Sequence, residues 1–367
     1  MRVYVSAPAR VYTGGPTALF QLCHTLKNVF GINSYIAFYN IRPDEDPVHA
    51  NYRHFKCPWV SIDNVYDEED NIVIVPETAT HLLSRFRRSK KVIYWLAVDN
   101  YILSTLNKGL KLYEFIWFML KNYPQNLPSI IIDVKRARYG PYLSSFMSYY
   151  VDKLIKRRLV RLPVADLHIA QSHYAKNFLE SMRVNHEDII LIREPVEDEF
   201  LDAASKVDLN NKKNIIAWNS RKAYPLTLKL IKLLERKFKV FNLGNVGKNN
   251  MIKILTSSKI FIDIGFHPGR DRPVREAVVL GNIAVINNHG GYHLREDCPV
   301  PEEFKIKCPQ DHSCKIDIEE IYENIISWIT NYDYYIKMFK EMRDYILSEP
   351  KLYIKDVENF VTKLSQL

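Results

Sequence analysis

Apolar residues arrive along the chain in short, nearly unbroken runs, and each run is followed by a stretch with apolar residues every three or four positions. Arg2–Ala7 is apolar and β-branched, and Pro16–Phe30 then carries Leu19, Leu22, Leu26 and Phe30 at helical spacing. Ser34–Tyr39, Asn71–Val75, Lys91–Val98, Ala165–Ala170 and Asp188–Arg193 read as further strands, with a helix from about Thr78 to Phe86. Strands that are apolar throughout, not alternating, are buried on both faces, which is the mark of a parallel sheet covered by helices.

The pattern breaks at Glu194–Pro195 and the polar stretch Asp208–Asn214, then restarts. Ile215–Trp218, Lys239–Leu243, Lys259–Ile264 and Asn282–Ile286 are predicted strands. Leu226–Lys237, Lys248–Ser257 and Val274–Leu280 are the helices between them. From Asp317 onward the pattern is mostly helical. The expected fold is α/β: two Rossmann-like domains facing a cleft, with a helical C-terminal tail. The boundaries are 1–195, 196–345 and a final segment 346–367 that packs back on the first domain. Ligands of such folds sit at the carboxyl ends of the strands.

Composition narrows the classes. At 47% hydrophobic over 367 residues the chain can build full cores, so general disorder is excluded. No run approaches the roughly 20 uncharged apolar residues of a membrane span. The start, MRVYVSAPARV, is a strand pattern without the apolar core of a signal peptide, so a cytoplasmic chain is expected. Five scattered cysteines argue against a disulfide framework. Cys298, Cys308, His312 and Cys314 lack a paired Cys-x-x-Cys, and no metal is expected there. Asp44-Glu45-Asp46 reads as a solvated turn. The net charge of +9 favours anionic partners, but no nucleic-acid module is present and none is expected to bind. The stretch 139–162 mixes Tyr142, Phe146, Tyr149 and Tyr150 with Lys153, Lys156, Arg157, Arg158 and Arg161. That suits peripheral contact with the anionic inner face of a membrane; an ordinary helix with a basic outer face is the simpler account.

The segment richest in chemistry is Ile262–Tyr292. A strand gives way at Gly265 to a loop holding His267, Pro268, Gly269, Arg270, Asp271 and Arg272. Pro273 follows in first-turn position, and the helix it opens carries Glu276 and ends at Gly281. Backbone amides, two arginines and a helix start are thereby offered to an anion. A solvated basic loop, or an ion pair of an arginine with Asp271, would use the same residues. Earlier, Gly14-Gly15 opens the first predicted helix, and Trp218-Asn219-Ser220-Arg221-Lys222 follows the first strand of the second series. Asp99 ends the strand Lys91–Val98. It reads either as a helix N-cap or as a carboxylate that orients or deprotonates an acceptor hydroxyl.

Glu276-Ala277, Gly281 and Ala284-Val285-Ile286 resemble the donor-binding stretch of GT-B glycosyltransferases, in particular the retaining family 4 type. The family carries a second Glu eight residues earlier, where this chain has Pro268. The resemblance implies transfer of a sugar, of hexosyltransferase type, from a nucleotide-diphosphate donor to a hydroxyl of a saccharide or lipid-linked acceptor, in cell-surface polysaccharide or glycan synthesis. It implies a metal-independent reaction with no cofactor. Glu276 would hold the ribose hydroxyls, with His267, Gly269, Arg270, Arg272, Gly14 and Gly15 around the donor. Arg221 and Lys222 would neutralise the leaving diphosphate, and Asp99 would act on the acceptor. A nucleotide-sugar epimerase-like enzyme and a non-catalytic nucleotide-sugar binding protein are the alternatives.

Overall fold

The computed structural model describes residues 1–106, 112–122, 140–156, 160–307 and 317–366. The chain divides into two compact units. One comprises Met1–Tyr101, Arg161–Pro195 and Ser348–Leu367, the other Ile102–Val160 and Val196–Leu347.

The first unit is built on β1 (Arg2–Pro8), β2 (Ser34–Tyr39), β3 (Trp59–Ser61), β4 (Asn71–Pro76), β5 (Lys90–Trp95), β6 (Leu167–Ala170) and β7 (Ile189–Leu191). They form one sheet in the order β3-β2-β1-β4-β5-β6-β7, and every pair is parallel. Around it lie α1 (Gly14–Asn28), the start of α2 (Val98–Leu106) and α5 (His173–Ser181). Helices on a parallel sheet bury the strands on both faces, which is why Val3, Val5, Ile74 and Val92 are fully buried. Leu19, Leu22 and Leu26 of α1 enter this core on the predicted stripe. Tyr353, Val357, Phe360 and Leu364 of the last helix enter it too, on one helical face.

One predicted helix takes a different form. Glu77–Arg85 is a 3-10 segment broken at Ala79, where φ is −121°. Its first residue, Glu77, is committed elsewhere: the carboxylate accepts the Leu96 amide beyond β5 at 3.0 Å. Lys91–Val98 also ends early as a strand, because Val98 already begins α2.

The second unit holds β8 (Lys213–Trp218), β9 (Lys239–Asn242), β10 (Ser258–Asp263), β11 (Ile283–Asn287) and β12 (Lys305–Ile306). Their order is β12-β11-β10-β8-β9, again all parallel. Its helices are α3 (Leu112–Asn122), α4 (Gly140–Lys156), α6 (Asp198–Ala204), α7 (Pro225–Leu234), α8 (Lys248–Ser257), α9 (Arg272–Val279), α10 (Ile318–Thr330), α11 (Tyr332–Tyr335) and the first part of α12 (Lys340–Leu364). In this sheet the chain starts at β8, steps one way to β9, then reverses to β10 and beyond. The reversal places a topological switch point between β8 and β10.

The basic aromatic stretch turns its rings inward where it is described. Phe146 and Tyr150 of α4 are buried, Phe146 packs edge-on against Phe115 and Phe118 of α3, and Lys153 pairs with Glu114 at 3.1 Å. Tyr139, Arg157 and Arg158 lie outside the described residues, as do Cys308, His312 and Cys314. Among the described residues no helix is long and apolar enough to cross a membrane, and no His/Cys/Asp/Glu group is arranged to hold a metal ion.

Candidate donor site in the second unit

Three loops meet at the carboxyl ends of β8, β10 and β11, and glycines let them touch. A Cβ on Gly265 would stand 2.1 Å from the Lys222 carbonyl oxygen. That contact is part of a two-residue bridge in which the Phe266 amide donates to Lys222 at 2.8 Å. Gly290, with φ of 60°, brings its backbone against the His267 carbonyl, where a Cβ would come within 2.0 Å. Gly291 does the same against Gly269 at 2.4 Å. These positions admit only glycine, because any side chain would overlap backbone that has nowhere to move.

The loop His267–Asp271 is held by charge. His267, fully buried, directs Nδ1 to Asp271 Oδ2 at 2.9 Å and Nε2 to the Asp263 carbonyl oxygen at 3.0 Å. Lys222 Nζ donates to both oxygens of the same Asp271 carboxylate, at 2.8 and 3.0 Å. Burial pushes the Asp271 carboxyl up, but the Lys222 ammonium and His267 outweigh it and leave the group at about 2. Asp271 stands at the N-cap position of α9, yet its side chain makes no cap hydrogen bond there. The carboxylate has turned to Lys222 and His267 instead.

Asp263, at the end of β10, is fully buried and pushed up to about 6, chiefly by burial and against the pull of His267. Its Oδ1 has no hydrogen-bond partner among the described residues, and neither does the Tyr292 hydroxyl. The Tyr292 ring lies 4.2 Å from that of His267.

Helix α9 carries Arg272 and Glu276, and Arg270 lies in the loop just before it. Arg272 is 8% exposed and approaches Glu197 at 3.6 Å; Glu197 is also held by Lys248 at 2.6 Å. One turn in, Glu276 is 6% exposed. Burial raises it to about 7; the Arg272 guanidinium opposes that shift and Glu197 adds to it. Arg270 donates to the Tyr345 hydroxyl at 3.0 Å and stacks over its ring. Asp271 is therefore the partner of Lys222 and His267, whereas Arg270 and Arg272 are engaged by Tyr345 and Glu197. Arg221 is exposed, its amide capped by the Asn219 side chain at 3.1 Å and its Nε turned to the Gly244 carbonyl.

Gly14, Gly15 and Asp99 belong to the first unit. Gly14-Gly15 opens α1, and a Cβ on Gly15 would sit 3.5 Å from Leu96 Cδ1, an ordinary contact. Asp99, in the first turn of α2, is fully buried and accepts the Tyr174 hydroxyl at 2.8 Å. Glu77, which the sequence pattern did not single out, lies at the end of β4. Burial raises it to about 7, against the amides of Leu96 and Ala97. Asp263, Tyr292 and Glu197 were likewise missed. They lie in an apolar strand, past a glycine pair and after a proline, and no spacing rule links them.

Two Rossmann-like units with a C-terminal helix define the GT-B fold, and comparison with solved structures agrees. Sucrose-phosphate synthase from Thermosynechococcus elongatus matches with a TM-score of 0.60 at 10% identity, over 100% of this chain and 99% of that one. HepE of Anabaena, in complex with UDP and glucose, matches with 0.58 at 12% identity over the whole of both chains. An alpha-glucosyltransferase in complex with UDP-glucose and DNA containing an abasic site matches with 0.53 at 12% identity over 99% of each. No protein-family model and no curated protein sequence matches the chain.

Proposed function

We propose that the chain is a glycosyltransferase that moves a sugar from a nucleotide-diphosphate donor, held by the second unit, to a hydroxyl of a saccharide or lipid-linked acceptor. The observation that supports this most is the placement of Lys222, His267, Arg270, Arg272 and Glu276 around the β8/β10 switch point. Solved structures of the same fold hold UDP or UDP-glucose.

In the reaction the bond from the anomeric carbon to the diphosphate oxygen breaks, and a bond to the acceptor oxygen forms. Negative charge grows on the leaving diphosphate, and fixed positive groups there lower the barrier. Arg221, Lys222, Arg270 and Arg272 supply them, which makes the transfer metal-independent. Glu276 accepts the ribose hydroxyls. Lys222 must exchange part of its contact with Asp271 for phosphate oxygens, so Asp271 sets how readily the donor enters. Within a cell the role is in glycan or cell-surface polysaccharide synthesis, on the cytoplasmic side.

Calorimetric titration of the full chain with UDP, GDP, ADP and their glucose conjugates tests this. One base is expected to bind, Glu276→Gln to bind at least tenfold more weakly, and transfer to a saccharide acceptor to persist in EDTA. Absence of binding by all three diphosphates, or wild-type binding by both Glu276→Gln and Arg272→Gln, overturns it. Epimerised donor formed without acceptor would replace transfer with epimerisation.

A further inference from the structure

In the first unit, the loops that follow β1 and β2 border an open pocket of about 360 Å³, a size that takes a small ligand. Arg10, Asn40, Arg42 and Glu45 line it together with apolar walls that include Pro8 and Pro47.

The backbone around this pocket is strained. Among the described residues five non-glycine positions are left-handed, and three fall in these two loops: Arg10 (φ 62°), Asn40 (φ 60°) and Asp44 (φ 63°). Asn and Asp tolerate that region; arginine does so rarely. Arg10 is held there because its amide donates to the Pro47 carbonyl at 2.9 Å, beside an Ala9-to-Tyr39 bond of 3.1 Å. Strain that the surroundings over-determine gathers where a chain holds a ligand.

Within the lining itself, two guanidiniums meet one carboxylate, while Asp46 outside it also acts on Arg10. Arg10 Nη1 meets Glu45 Oε2 at 2.5 Å. Asp46 is taken by Arg53 at 2.7 Å, and Asp44 is exposed and outside the lining. Arg42 is exposed and has no carboxylate partner among the described residues. A guanidinium fork matches a planar oxyanion.

We propose that this pocket binds an oxyanion, a carboxylate or phosphate carried on a saccharide, with Arg42 as its main contact. The assignment rests on the glycosyl-transfer reading only for the ligand's role: the saccharide is then the acceptor, and the enzyme acts on charged sugars.

Titration of the full chain with glucuronate, glucose 6-phosphate and glucose, with and without UDP, tests it. At least one charged sugar is expected to bind tenfold or more tightly than glucose, and the two arms tell carboxylate from phosphate. Arg42→Ala should weaken that binding at least tenfold, whereas Glu45→Gln, which removes the one negative charge of the lining, should tighten it. Equal binding by wild type and Arg42→Ala, equal binding of glucose, or weakening by Glu45→Gln overturns the proposal. A chain that binds glucuronate through Arg42 but no nucleoside diphosphate supports the pocket and overturns the donor reading alone.

Discussion

His267 Nδ1 lies 2.9 Å from Asp271 Oδ2, four residues further along, and the carboxylate they share with Lys222 fixes the loop that leads into α9. The buried ring and the ammonium both need this anion, so the loop's conformation and the position of Lys222 depend on one side chain.

That dependence has a pH signature. Asp271 ionises at about 2 in the folded chain, below its ordinary 3.8. The unfolded chain takes up the proton first as pH falls, so this stabilisation is present above pH 4 and is lost as pH falls through about 2. The shift corresponds to roughly 2 kcal/mol. Urea unfolding between pH 2 and 5 should show Asp271→Asn less stable than wild type by about that amount at pH 5. The gap should close toward pH 2; a constant gap would refute the role.

Glu276 has the opposite sign. Its folded value of about 7 lies above the ordinary 4.5, so the folded chain holds the proton more tightly than the unfolded one. Stability from this group is present below pH 4.5 and is lost as pH rises through about 7. Glu276→Gln should therefore raise the stability of the ligand-free chain at pH 8 by up to about 3 kcal/mol while weakening donor binding. Thermal melts at pH 5 and 8, with and without nucleoside diphosphate, read both effects; a variant destabilised at pH 8 contradicts the account.

Gly290→Ala should unseat the loop after β11. The new Cβ would lie 2.0 Å from the His267 carbonyl oxygen, at a φ of 60° that alanine disfavours. A loss of about 2–4 kcal/mol is expected, together with weaker donor binding because His267 moves with its carbonyl. A melting temperature within a degree of wild type would show that the loops are not held together this way.

In the first unit, Arg193 grips Asp356 of α12 with two side-chain bonds of 2.9 Å and a backbone bond of 3.2 Å. The Asp356 side chain is 7% exposed. Asp356→Ala leaves the guanidinium without this partner, and should cost about 3 kcal/mol. Limited proteolysis should then cut within residues 348–366 sooner than in wild type. Unchanged cleavage would mean that the apolar face of α12 suffices.

Periodicity alone located most of the parallel strands, the α1 stripe of Leu19, Leu22 and Leu26, and α9 with Pro273 at its start and Gly281 beyond its end. Those features are local: they need only a run of β-branched residues, a 3.6-residue spacing, or a residue whose backbone is restricted or free. Short edge strands such as β3 and β12 went unread because two or three residues carry no period.

The candidate-site residues near Glu276 could be singled out from sequence because one loop and one helix bring them together along the chain. Their partnerships could not. Lys222 and Asp271 are 49 residues apart and meet because β8 and β10 lie side by side in the sheet; Arg272 and Glu197 are 75 apart and meet because α6, which Glu197 opens, packs against α9. Burial is likewise decided by what packs above a residue. It made Asp99 an anchor for Tyr174, lifted Glu77, Asp263 and Glu276 toward neutrality, and turned the rings of α4 inward. The amino-acid order set which segments became strands and helices; the neighbours supplied by the folded chain set the charge and reach of each side chain.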